Sequence, residues 1–253
     1  MLLEVSGLTK HFGGLAAVSQ FEMTIKQGDI VGLIGPNGAG KTTIFNLIAG
    51  VFRPNSGKVV FDSRDITGKG PHVIAALGIG RTFQLTPLFA DFTTLENVVA
   101  SIYLHSKTGF WNTLLNTPAY RKKETYALEK SNEILELVGL SRVKAECAKN
   151  LSHGYQKMLG IARALAVQPR LLMLDEPLGG MNADEMTFTM EIMAKMQKQG
   201  MTILVIEHNM QILDLCNQVV AINFGQNICT GCVEEVRSHP EVIKAYLGEQ
   251  DVA

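Results

Sequence analysis

Apolar residues along the chain follow two rhythms. Short unbroken runs, Ile30-Val31-Gly32-Leu33-Ile34, Leu171-Leu172-Met173-Leu174, Thr202-Ile203-Leu204-Val205-Ile206 and Val219-Val220-Ala221-Ile222, predict strands buried on both faces of a parallel sheet. Shorter strand signals at Leu2 to Val5, Phe21 to Ile25, Val59 to Asp62 and Gln226-Asn227-Ile228 come with turn chemistry at Lys26-Gln27-Gly28-Asp29 and Arg53-Pro54-Asn55-Ser56-Gly57. Helical spacing runs from Lys41 to Ala49 and stops at Gly50. It returns at Ala183 to Gln199, and at Ala119 to Val138 before Gly139. Between about Phe89 and Asn150 strand signals vanish. The pattern predicts an α/β sheet domain with an antiparallel flank, residues 1–88 and 160–253, interrupted by an α-helical subdomain over residues 89–159.

Composition narrows this only a little. A chain of 253 residues with 46% hydrophobic content can bury a large core, and no apolar run approaches the roughly 18 residues needed to cross a bilayer. Nothing resembles a signal peptide. A formal net charge of -1 offers no general attraction to nucleic acid. The four cysteines imply no disulfide framework; Cys229-Thr230-Gly231-Cys232 has half-site spacing without a second pair, and reads as packing beside a turn.

The chemistry enters at Gly35-Pro36-Asn37-Gly38-Ala39-Gly40-Lys41-Thr42, between the first buried strand and a helix. A glycine-rich loop in that context aims successive backbone N–H groups at one spot, where the positive end of the helix dipole also lies. Lys41 adds a full charge for the outer phosphates of a nucleotide, Thr42 carries a hydroxyl placed for Mg²⁺, and Thr43 follows in the same turn. About 130 residues later Asp175-Glu176 ends the strand Leu171 to Leu174, at the sheet edge where ligands of open α/β sheets collect. One acid there can hold Mg²⁺ while its neighbour orients an attacking water as general base.

Leu151-Ser152-His153-Gly154-Tyr155-Gln156, followed by Met158 to Leu165, makes the chain resemble the ATP-binding subunit of ABC transporters over essentially its full length. That resemblance implies a P-loop NTPase fold with a RecA-like core, an antiparallel β flank and an inserted helical subdomain. It also implies ATP and Mg²⁺ as ligands. Ser152 and Gly154 take the place of the signature-loop residues that touch a γ-phosphate, whereas His153 and Tyr155 depart from the Leu-Ser-Gly-Gly-Gln form. Phe12 resembles the aromatic platform for adenine, with Val18 packing nearby. Gln84 resembles the Q-loop glutamine that reaches Mg²⁺ or water, and His208 the switch histidine beside the γ-phosphate. Asn182 stands in the D-loop where many relatives carry Asp. On this reading Glu176, His208 and Gln84 are catalytic. Asp175, Thr42 and Gln84 serve the metal, and Gly35, Asn37, Gly38, Ala39, Gly40, Lys41, Thr42 and Thr43 cradle the phosphates.

Within the family the likeness is to the ATPase of branched-chain amino acid importers. It is carried by Lys10 to Val18, Arg81-Thr82-Phe83-Gln84, Phe92 to Val98, Val205 to Met210 and Pro240 to Glu249, and by the insertion Leu104 to Lys123. Urea and amide importers share most of these phrases. The resemblance implies a second ATPase subunit, like or unlike, sandwiching ATP head to tail. It further implies integral membrane permease subunits and, indirectly, a solute-binding protein, with the chain held at the cytoplasmic face of the inner membrane. A soluble ABC ATPase acting on ribosomes or DNA would usually carry paired cassettes or long coiled-coil insertions, and neither is present. The insertion lacks acidic residues and bears Lys107, Arg121, Lys122 and Lys123 beside Phe110, Trp111 and Tyr120, a composition that reads first as a solvated arm whose aromatics pack on the helical subdomain and second as a contact with a membrane surface or a permease loop.

Overall fold

The structure, a computed structural model, describes residues 1–82, 88–105, 118–207 and 209–247. Gln84, His208, residues 106–117 of the insertion and Gly248-Glu249 lie outside the described residues.

Six strands form the central sheet in the order β10-β9-β3-β8-β7-β6, with β3 (Ile30–Ile34), β6 (Ile79–Arg81), β7 (Leu171–Asp175), β8 (Thr202–Ile206) and β9 (Gln218–Asn223) parallel and β10 (Gln226–Gly231) antiparallel at one edge. Strict alternation assigns their side chains to two cores. Ile30, Ile34, Leu172, Leu174, Ile203, Val205, Val219 and Ala221 face one hydrophobic cluster. Val31, Leu33, Leu171, Met173, Leu204, Ile206, Val220 and Ile222 face the other. Burial on both faces explains why these strands read as continuous apolar runs.

The second core lies between this sheet, α1 (Lys41–Ile48) and a four-stranded antiparallel sheet ordered β2-β1-β4-β5, comprising β1 (Leu3–Phe12), β2 (Leu15–Ile25), β4 (Ser56–Phe61) and β5 (Arg64–Asp65). The β1–β2 hairpin is longer than the sequence signals at Leu2 to Val5 and Phe21 to Ile25. Register shifts between Val5 and Leu8, Leu8 and Lys10, and Lys10 and His11 break the two-residue alternation. Strand β6 has three residues, too few to leave a periodic signature.

The first core is covered by helices. α3 (Thr94–His105), α4 (Pro118–Leu137) and α5 (His153–Leu165) pack on one another, and α6 (Ala183–Lys198) joins them on the sheet face. α5 runs unbroken across residue 159, and Met158, Leu159, Ile161 and Ala162 all belong to the same cluster. α3 begins with a reciprocal cap: the Thr93 amide donates to Glu96 Oε2 at 2.7 Å and the Glu96 amide donates to Thr93 Oγ1 at 3.1 Å. Fully buried Asn97 ties down the preceding loop, its Nδ2 donating to the carbonyls of Phe89, Phe92 and Thr93 and its Oδ1 accepting from the Phe89 amide. Arg163 of α5 donates to Ser101 of α3 at 3.1 Å and lies 4.9 Å over the Phe89 ring. The remaining helices are α2 (Pro71–Ala76), α7 (Val233–Ser238) and α8 (Pro240–Leu247). No helix among the described residues is long and apolar enough to cross a membrane.

Candidate functional site

The loop between β3 and α1 forms the floor of a cavity of about 310 Å³, lined by residues 37–43, by Leu15, Ala16 and Ala17 of β2, and by Glu176 and Phe224. Gly40 caps α1 with φ of 101°, and a Cβ there would sit 2.6 Å from the Ala17 carbonyl, so neither backbone nor space admits a side chain. At Gly35 a Cβ would run into the Ile222 carbonyl and would lie 3.1 Å from the Ala39 methyl. The β9–β10 turn supports the loop, since the Gly225 amide donates to the Ala39 carbonyl at 2.8 Å and its carbonyl accepts from the Ser19 amide at 2.9 Å. Val18 is wholly buried beneath this junction. Lys41 is 7% exposed, and its Nζ donates to the Gly35 and Pro36 carbonyls at 2.6 and 2.9 Å. These bonds hold a positive charge inside the loop.

Asp175, the last residue of β7, and Glu176 come out at the carboxyl end of the parallel sheet, as the strand pattern predicts. Asp175 accepts from Arg81 Nη2 at 3.2 Å, while Arg81 Nη1 donates to Asn46 of α1 at 2.7 Å and its guanidinium lies 5.6 Å over the Phe45 ring. Both members of this ion pair are buried. Burial pushes the Asp175 carboxyl up, against the pull of Arg81, and pushes Arg81 down, against the pull of Asp175. The Asp175 amide also donates to Thr82 Oγ1 at 3.2 Å. The donor set near the phosphate loop, a Thr42 hydroxyl and an Asp175 carboxylate, is hard oxygen of the kind Mg²⁺ takes alongside substrate phosphates.

Glu176 adopts φ of 48°, rare for a residue with a side chain. Its amide donates to the Ile206 carbonyl at 3.0 Å. Its own carbonyl accepts from Lys157 Nζ at 2.7 Å and from the Gly179 amide at 3.3 Å. Glu207, 1% exposed, accepts at 2.7 Å from the Leu178 amide in the same turn. Asn182 ends that turn as the N-cap of α6, in a capping box with Glu185. The amide side chain therefore fills the capping role that Asp would fill, without the charge.

Ser152 is exposed and caps α5, accepting from the Tyr155 amide at 3.3 Å. A Cβ at Gly154 would lie 2.5 Å from Glu185 Oε1, which shows how closely the start of α5 packs on the start of α6. His153 does not enter that contact; its ring lies against Gly180, about 3.1 Å from where a Cβ would stand. Tyr155 is 38% exposed. Neither Ser152 nor Gly154 lines the cavity above the chain's own phosphate loop. Phe12 is not among that cavity's lining residues either; it is 44% exposed, edge-on to Phe52 at 5.3 Å with Lys10 Nζ 5.2 Å from its ring centre.

Sequence reasoning passed over Arg81, Lys157, Glu185, Glu207 and Phe224. Arg81 lies three residues before Gln84, Glu207 directly before His208 and Lys157 five residues beyond Ser152, but only the tertiary contacts give them partners.

A protein-family model described as "ABC transporter" matches residues 18–179, and one described as "Branched-chain amino acid ATP-binding cassette transporter" matches residues 226–252. The chain is 41% identical over 250 residues to the high-affinity branched-chain amino acid transport ATP-binding protein BraF of Pseudomonas aeruginosa, covering 98% of both. It is 40% identical over the same length to LivG of Salmonella typhimurium, again covering 98% of each. A solved ATP-binding cassette of an ABC transporter in its ADP conformation superposes with a TM-score of 0.85 at 32% identity, covering 98% of both chains.

Proposed function

Because this chain belongs to the ABC transporter family and carries its ATP-hydrolysing domain, we propose that it is the ATPase subunit of an importer for branched-chain amino acids. The C-terminal match over residues 226–252 carries the choice of solute, because it covers a segment outside the ATPase motifs common to all such cassettes. Permease subunits hold the chain at the cytoplasmic face of the inner membrane, a second cassette pairs with it, and a solute-binding protein delivers the cargo.

In this reading the amides of residues 37–43 and the Lys41 ammonium hold the outer phosphates of ATP, with Phe12 as the platform for adenine. Mg²⁺, held through oxygens of Thr42 and Asp175, would offset the charge that builds on the phosphates. Glu176 faces the same cavity and takes the proton of the attacking water. Gln84 and His208 complete this set. Ser152 and Gly154, remote from their own chain's phosphate loop, serve the nucleotide of the partner subunit. Two ATP molecules then become part of a head-to-tail interface, and losing a γ-phosphate releases it.

Deleting the gene for this chain should abolish uptake of radiolabelled leucine, and wild-type chain but not Glu176→Gln should restore it. The purified Glu176→Gln chain should bind ATP, stop turning it over, and accumulate as an ATP-bound dimer on a sizing column. Undiminished leucine uptake with loss of urea uptake would refute the solute, and normal turnover by Glu176→Gln would refute the site.

A further inference from the structure

The conformation of Glu176 needs a cause that the nucleotide-binding motifs do not supply. Its φ of 48° turns the chain sharply at the end of β7, directing the carbonyl of Glu176 away from the strand ladder while its amide stays bonded to Ile206. The Lys157 ammonium meets that carbonyl at 2.7 Å. Room for it comes from Gly179, where a Cβ would lie 3.1 Å from Nζ. Burial pushes the Lys157 pKa down, and the neighbouring charges of Glu207, Glu176 and Asp175 pull it back up. A half-buried ammonium among three acids, bonded to the peptide of one of them, is a specific arrangement.

We propose that Lys157 is a positioning residue for hydrolysis: its ammonium clamps the left-handed peptide of Glu176 and thereby aims the Glu176 carboxylate into the cavity above the phosphate loop. Lys157 is not among the residues that line that cavity and reaches it only through the Glu176 peptide, so its influence falls on the chemical step and not on nucleotide binding. Because Ser152 caps α5, the clamp also ties the signature loop, which serves one nucleotide, to the acid that acts on the other. This rests on the assignment of Glu176 as the base.

The test is steady-state Mg-ATP turnover by the purified full chain with its partner subunit. Lys157→Met should lower kcat by about tenfold or more, the scale expected when a catalytic group is misplaced by a fraction of an ångström to an ångström, with KM for ATP and Kd for ADP unchanged within about twofold. Lys157→Arg, which keeps a cationic donor, should recover most of the rate. In a Glu176→Gln background, adding Lys157→Met should leave ATP-dependent dimerisation as it was. Should Lys157→Met fail to fold, Lys157→Gln, a neutral donor of shorter reach, carries the same readings. An unchanged kcat, or nucleotide affinity falling in step with turnover, overturns the clamp. If Glu176→Gln itself turns over normally, the assignment of the base has failed instead.

Discussion

Glycine, lysine and glutamate at the phosphate cavity each show how a residue type acquires its role from backbone geometry. Gly40 combines a left-handed φ with a carbonyl 2.6 Å from where a Cβ would stand, so a side chain must move the Ala17 strand or the loop itself. Gly40→Ala should therefore weaken ATP binding by at least about tenfold, since a loop shifted by a few tenths of an ångström misaligns several amide donors at once. Isothermal titration with ATP checks this, and a retained melting transition shows that the loss is local. The glycine spacing of the loop was legible in the sequence because each glycine answers to a local requirement. Lys157 was not, because its partner is a carbonyl 19 residues away whose orientation depends on a turn that no local pattern encodes.

Among the elements, the helices were easier to read than the flank. Helices α1, α4 and α6 end within two residues of the expected limits, since capping and periodicity are local properties. The β1–β2 hairpin was read only at its two far ends because its bulges erase alternation, although β1 pairs with both β2 and β4. Helix α3 depends on one internal tether, Asn97, whose amide serves four backbone groups of the loop before it. Replacing it by Ala leaves those part-buried groups without their partner. Asn97→Ala should cost about 1–3 kcal/mol and lower Tm by roughly 3–10 °C, measured by differential scanning calorimetry, with the helical segment exchanging its amide protons first. The Arg163 contacts to Ser101 and Phe89 act on the same joint, so a Arg163→Ala substitution is not expected to add independently to this cost.

At the scale of the molecule, one mostly parallel sheet separates two cores and places every assigned acid at a single edge. The acid response follows from the carboxylates spread over the surface. Hydrogen bonds from Arg170, Thr67 and Lys149 hold Asp62, Asp65 and Asp91 below their ordinary 3.8, and amide and hydroxyl donors of Thr93 hold Glu96 below 4.5. Carboxylates with depressed values stabilise the fold fully above the unfolded pKa, and that contribution disappears as pH falls through the folded one. Asp175 runs the other way, because burial raises it and ionisation there opposes folding. Thermal melts should thus change little from neutrality down to about pH 5 and decline below about pH 4; an onset near pH 6 would contradict the assignment of these surface groups. By itself the sequence determined the buried strands of an α/β sheet with its antiparallel flank, the glycine pattern of the phosphate loop and the acid pair that ends β7, because each is set by periodicity or by residues adjacent in the chain. The tertiary structure decided which groups hold those parts in place. Arg81 on Asp175, Glu207 on the Leu178 amide, Glu185 against Gly154 and Lys157 on Glu176 join segments distant along the chain, and contacts of that kind exist only once the sheet has brought the strand ends together.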